Sequence, residues 1–198
     1  MPITNEAELK RVVAQVSAGL AEIQAYLGDQ YHEDGKIRFP AGYIRKAYTI
    51  RSQLWFIKDE TVKRNLAYAH LQSDTLRWLL NRTNLAGTAR EMIIKESICL
   101  AAAISETLTK QICIQEQLCG QKKGFKERCE VLATNDAISD KTCDEAKWLW
   151  DFRQNEHIFL ATDWEYGYYK MTECNRAIKC LRSLKSEIGI WFDNNLPF

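Results

Sequence analysis

Arg153 and His157 are the pair whose residue types and spacing suit chemistry on a phosphate ester. An imidazole titrates near neutral pH and can exchange a proton with a hydroxyl. A guanidinium stays charged and offers a planar fork to phosphate oxygens. Positions i and i+4 share a helix face, so both side chains can address one phosphate if the helix persists. Gln154 and Asn155 lie between them, and Asn155 is placed to support the phosphate or to orient the imidazole. A second set, Arg64, Asn65 and His70, repeats the residue types with a longer spacing. Six helical steps of about 100° turn Arg64 and His70 to different faces. The expectation there is an exposed Arg64 and a His70 packed between helices. The alternative is that this segment joins the site within the fold or across a dimer.

Other chemistries find little support. The remaining histidine, His32, sits in the acidic run Tyr31-His32-Glu33-Asp34. Adjacent ligands rarely converge on one metal, so a solvated loop is expected, with no metal and no cofactor. No phosphate-cradling glycine motif, zinc-protease helix motif or nucleophile elbow occurs. The seven cysteines form no CxxC pair, and residues 1–8 are polar, without a leader's apolar stretch. Reduced thiols acting as small hydrophobes in a cytoplasmic protein are therefore expected. No apolar run approaches the ~20 residues of a bilayer span, so no membrane is expected as partner.

Charge narrows the choice further. The 198 residues carry 27 Lys+Arg and 26 Asp+Glu, a net charge of +1. That excludes a nucleic-acid binder working by bulk cationic excess, and equally an acidic disordered chain. Basic character is local. Arg176, Lys179, Arg182 and Lys185 follow steps of three, and Lys122, Lys123, Lys126 and Arg128 cluster. Either group could guide an RNA backbone, although such stripes are more often solvated faces. Tyr166 and Tyr169 are candidates for exposed stacking contacts with bases, whereas Trp164 and Tyr168, at i and i+4, should point inward.

The elements that must position these residues read as helices throughout. Pro40 is the only proline between Pro2 and Pro197, so little interrupts helix formation. Leu9, Val12/Val13, Val16, Leu20, Ile23 and Leu27 recur at helical period over 5–27, with Asn5 as cap and Gly28 as stop. Asp34-Gly35 marks a tight turn, with 36–39 as the second arm of a small hairpin. Helical pattern resumes over 42–80, with a break at Asp59 or Glu60, and 81–87 is a connector. Thr88 and Glu91 form a capping box opening a long central helix to about Leu118. A short helix over 125–133 follows, then one capped by Ser139 or Asp140 that reaches about His157. A second box, Thr162 with Glu165, opens the last long helix, with Tyr168, Met171, Ile178, Leu181 and Ile188 inward. No segment alternates at period two over strand length, so the class is all-α.

The order of elements over the last 110 or so residues resembles the HEPN family (higher eukaryote and prokaryote nucleotide-binding domains). That family carries an Arg followed after four to six residues by His, often with Asn directly after the Arg, between its third and fourth core helices. The link Ala137-Ile-Ser-Asp140 and the Trp148/Trp150 helix fall in the expected order. Three residues separate Arg153 from His157, and Gln154 takes the usual Asn place. The resemblance implies a HEPN-like four-helix core over 88–198, with an N-terminal helical extension over 1–87 packed on it. It implies a metal-independent endoribonuclease of toxin or phage-defence type. His157 would help deprotonate the ribose 2′-OH, Arg153 would hold the scissile phosphate, and the product would be a 2′,3′-cyclic phosphate. Gln154, Arg64, His70 and Tyr166 complete the candidate substrate contacts. The implied partners are RNA and a second copy in a homodimer. The alternative is a catalytically degenerate HEPN-like module that binds a protein such as an antitoxin.

Overall fold

The computed structural model describes residues 2–37, 43–154 and 167–195. Among them every regular element is helical, so the protein is all-α. The chain forms two compact units, Met1–Ala41 and Gly42–Phe198. The expected division at 87/88 lies inside the second of them.

The first unit is built on α1 (Glu6–Leu27). Asn5 caps it by accepting a 2.9 Å hydrogen bond from the Glu8 N–H, and Glu6 and Glu8 complement the helix dipole. Gly28, at φ 55°, ends it and donates to the Gln24 carbonyl. The expected hairpin is instead a single 3₁₀ turn, Glu33–Gly35. His32 Nδ1 accepts from the Asp34 N–H at 3.2 Å, a local bond that favours a turn over an extended arm. Residues 38 and 39 of the expected arm lie outside the described residues. No residue of α1 is buried, and its apolar stripe of Leu9, Val13, Val16, Leu20 and Ile23 is exposed.

The second unit contains α2 (Ala47–Gln53), α3 (Glu60–Arg82), α4 (Gly87–Gln115), α5 (Phe125–Thr134), α6 (Asp140–Gln154) and α7 (Met171–Asn195). α4 is the central element and touches α3, α5, α6 and α7. Ile94, Ile98, Ala101, Ala102, Ile104, Leu108 and Ile112 are buried on successive sides of it. Its buried hydroxyls bond back to its own carbonyls: Ser97 to Ile93 and Ser105 to Ala101, both at 2.8 Å. α4 is long and apolar enough, by composition, to cross a membrane, and 61% of its most apolar window is buried in the bundle. The scattered polar residues that break its apolar run in sequence do not prevent that.

Helix ends follow local chemistry, with two corrections. Asp59 does break the 42–80 pattern: its carboxylate accepts from Thr61 and Val62 N–H at 2.9 and 3.0 Å. Ser139 caps α6, its hydroxyl accepting from Thr142 N–H at 3.2 Å. Glu187 reaches across from α7 to the same helix start, accepting from Ser139 N–H at 2.7 Å. The Thr88–Glu91 box does not form. α4 already starts at Gly87 (φ 59°), and the Glu91 carboxylate instead accepts from the Gly167 N–H at 2.6 Å. A distant donor outcompetes the local one. The last helix opens at Met171, because Gly167 at φ 86° and the residues up to Lys170 are not helical. The Thr162/Glu165 box lies outside the described residues.

Replacing Asp59 with Ala should cost about 1 kcal/mol of stability, whereas Thr88→Ala should cost only a few tenths. Urea denaturation of the two variants beside the wild type checks both.

Candidate functional site

Two helices present matched faces to one cavity of about 350 Å³. α3 supplies His70, Ser73, Asp74 and Arg77, and α7 supplies Ile178, Leu181, Arg182 and Lys185. Each set follows i, i+3, i+4, i+7, the spacing of one helix face. Tyr43 and Arg45, from the segment entering α2, complete the lining.

Asp74 organises the cleft. Its side chain is 5% exposed, and Arg45 grips it through Nε at 2.8 Å and Nη2 at 2.9 Å. The Arg45 N–H adds a third bond to the same carboxylate at 3.2 Å. Gln53 accepts from both Lys185 Nζ, at 3.1 Å, and Arg45 Nη1, at 3.4 Å. The Tyr43 hydroxyl donates to the Arg77 carbonyl at 3.4 Å and accepts from Asn81 at 3.2 Å.

The lining holds four cations, Arg45, Arg77, Arg182 and Lys185, against one carboxylate, Asp74. Arg45 takes up that carboxylate, so positive charge remains. Burial, then Arg45 and Arg182, push the Lys185 ammonium below its ordinary range, and Asp74 only partly offsets them. Burial, then Arg77 and Arg45, push Arg182 down in the same way. Burial, then Lys185 and Arg45, lower His70 to about 4. Its imidazole is therefore neutral at physiological pH and, among the described residues, has no hydrogen-bonding partner. A bound anion would relieve each of these penalties.

Arg64 is exposed and His70 buried, as their angular separation requires, and only His70 reaches the cleft. Arg153 lies at the end of α6, 31% exposed, with Nη1 3.4 Å from Glu106 of α4. Its guanidinium sits 4.9 Å from the Trp150 ring, which stacks on Phe125 at 4.9 Å and 21°. Glu106 also holds the buried Arg128, whose Nη2 lies 3.8 Å from it. Gln154 is the exposed last residue of α6. Asn155, His157 and Tyr166 lie outside the described residues.

The basic stripe of the last helix divides. Arg176 turns towards α6, forked onto Glu145 at 2.7 and 3.0 Å and stacked 3.8 Å above Trp148. Arg182 and Lys185 turn towards α3 and the cleft. The 122–128 cluster also disperses: Lys126 pairs with Asp151 at 2.5 Å, and Arg128 is buried. The tyrosine expectation is reversed, with Tyr169 buried and Tyr168 exposed. The helical phase behind it does not extend through the turn at 167–170. Six of the seven thiols are buried and none forms a disulfide. Burial pushes Cys113 and Cys180 up to about 12 and raises Cys129 and Cys174, so these are packing residues and not nucleophiles.

Sequence reading missed Tyr43, Arg45, Ser73, Asp74 and Arg77. The polar run His70, Ser73, Asp74, Arg77 on one face of an otherwise core helix was an available signal. Nothing in the spacing pointed to its partner face on α7, a hundred or so residues later. Comparison with protein-family models, curated proteins and solved structures finds no match to this chain.

The His70 shift fixes a pH dependence. The folded value of about 4 lies below the ordinary 6.5, so the unfolded chain takes up the proton first as pH falls. The contribution is complete above pH 6.5 and is lost progressively towards pH 4, by at most about 3 kcal/mol. In urea denaturation from pH 7.5 to 4.5, His70→Gln should lose less stability than the wild type.

Proposed function

We propose that the chain recognises the phosphate groups of RNA and that the α3/α7 cleft is where it does so. The carrying observation is the lining of four cations against one carboxylate already gripped by Arg45. Arg77, Arg182 and Lys185 offer donors of the kind phosphate oxygens accept. Tyr43, Ile178 and Leu181 give the same cavity apolar wall for a sugar or base. The cleft itself calls for an anion of modest size. The choice of RNA rests on the HEPN resemblance of the 88–198 segment.

A second reading, metal-independent RNA cleavage at Arg153 and His157, is favoured by the mounting of Arg153. Trp150 beneath it and Glu106 beside it hold its guanidinium at the end of α6, partly open to solvent. A phosphate there would share the guanidinium with Glu106. In this reading His157 takes the 2′-OH proton, the oxygen attacks the adjacent phosphorus, the bond from phosphorus to the 5′-oxygen breaks, and that oxygen takes a proton from solvent. The non-catalytic HEPN-like module, binding a protein partner in place of RNA, is the outcome if neither RNA activity is found.

Binding is tested with a short fluorescein-labelled single-stranded RNA in EDTA. Arg182→Glu and Lys185→Glu should each weaken binding about tenfold or more and flatten its salt dependence. Lys126→Glu, outside the cleft, should leave it unchanged. Equal binding by all variants, or none by the wild type at low salt, would overturn the cleft reading. Cleavage is read separately: cyclic phosphate ends should form without metal and disappear in Arg153→Ala and His157→Ala.

A further inference from the structure

The stripe on α1 is more regular than a surface helix needs. Leu9, Val13, Val16, Leu20, Ile23 and Leu27 follow steps of 4, 3, 4, 3 and 4. That is a heptad seam, the pattern by which one helix packs along another. Val13 and Val16 are 54% and 58% exposed, and Leu9, Leu20 and Ile23 are at least 40% exposed. Leu27 is half-buried beneath the 3₁₀ turn, where a Cβ on Gly35 would come within 2.5 Å of it. The polar face argues against a lipid surface as the occupant. Lys10 and Arg11 are its only basic residues, whereas helices that lie on membranes are rich in them.

A second observation comes from Gly19. It stands mid-helix, where glycine is unfavourable relative to alanine, yet a Cβ there would meet nothing within 4 Å. Among the described residues nothing packs against this position. A glycine there leaves room for another backbone to approach.

We propose that α1 pairs antiparallel with α1 of a second copy of this chain. An antiparallel match centred on Ala18 aligns the seam with itself: Leu9 with Leu27 of the second copy, Val13 with Ile23, and Val16 with Leu20. This is the self-complementary contact that a two-fold axis requires. Residues flanking the seam agree. Val12 meets Tyr26 and Gly19 meets Gly19 on one side; Lys10 meets Gln24 and Ser17 meets Ser17 on the other. No like charges face each other. A parallel match would instead stack two Glu6 carboxylates at a seam position. Tyr26, 87% exposed in the single chain, gains a partner.

The mass of the full chain, measured by sedimentation equilibrium at tens of micromolar, should be about 46 kDa, twice the 23.0 kDa of one chain. Val16→Glu with Leu20→Glu should reduce it to 23.0 kDa. Both positions are exposed, and an unchanged circular dichroism melt of the remaining helices confirms that the variant is folded. A monomeric wild type, or a dimer that survives the double substitution, overturns the proposal. Orientation is read from one chain that carries both Val13→Glu and Ile23→Lys. Antiparallel pairing joins each new Glu to a new Lys in one layer and keeps this chain a dimer, whereas a parallel pair sets Glu on Glu and Lys on Lys and dissociates. A monomer overturns the antiparallel register.

Discussion

Everything in the second unit depends on covering α4. Its apolar residues point in nearly every direction, and the buried serine and threonine hydroxyls bond to its own carbonyls. A helix of that kind is stable in water only when neighbours enclose it. α3 and α7 lie against it as two of those neighbours, with α5 and α6 as the others. Once α3 and α7 are anchored on α4, their polar faces must meet at the rim. The candidate cleft is therefore a by-product of core packing, and its polar residues border the core face of each helix.

Within the cleft the balance of charge sets the chemistry. A single buried carboxylate cannot neutralise four cations, and Arg45 occupies it through both oxygens. Burial first, and the neighbouring cations second, lower His70, Arg182 and Lys185. An anion bound there would offset that excess of charge. Arg153 is managed differently. An aromatic platform and a carboxylate fix its position, so its exposure comes with order.

The two units use apolar surface in opposite ways. In the second unit Ile50, Leu54, Phe56 and Ile57, next to α3, are buried, and hydrophobic pattern and burial agree. In α1 the pattern is as clear, but its apolar residues stay exposed. Periodicity identifies a face that wants a partner, and it carries no information about which partner. That separation explains why one helical pattern led to a core and the other to a stripe of exposed apolar residues.

The sequence by itself determined the all-α class, a break at Asp59 or Glu60, a cap at Ser139 or Asp140, a long central helix from Thr88 to about Leu118 and the opposed faces of Arg64 and His70. Those features depend on neighbours within about seven residues, where helical period and capping chemistry act. Only the tertiary structure decided that Glu91 would serve Gly167 and not its own helix start, and that the last helix would open at Met171. It also decided that the basic stripe of α7 would divide between Glu145 and the α3 cleft. For Glu91 and for the stripe, a local position is set against a partner dozens of residues away. Which one wins depends on the distances that packing around α4 imposes, and spacing along the chain does not encode those distances.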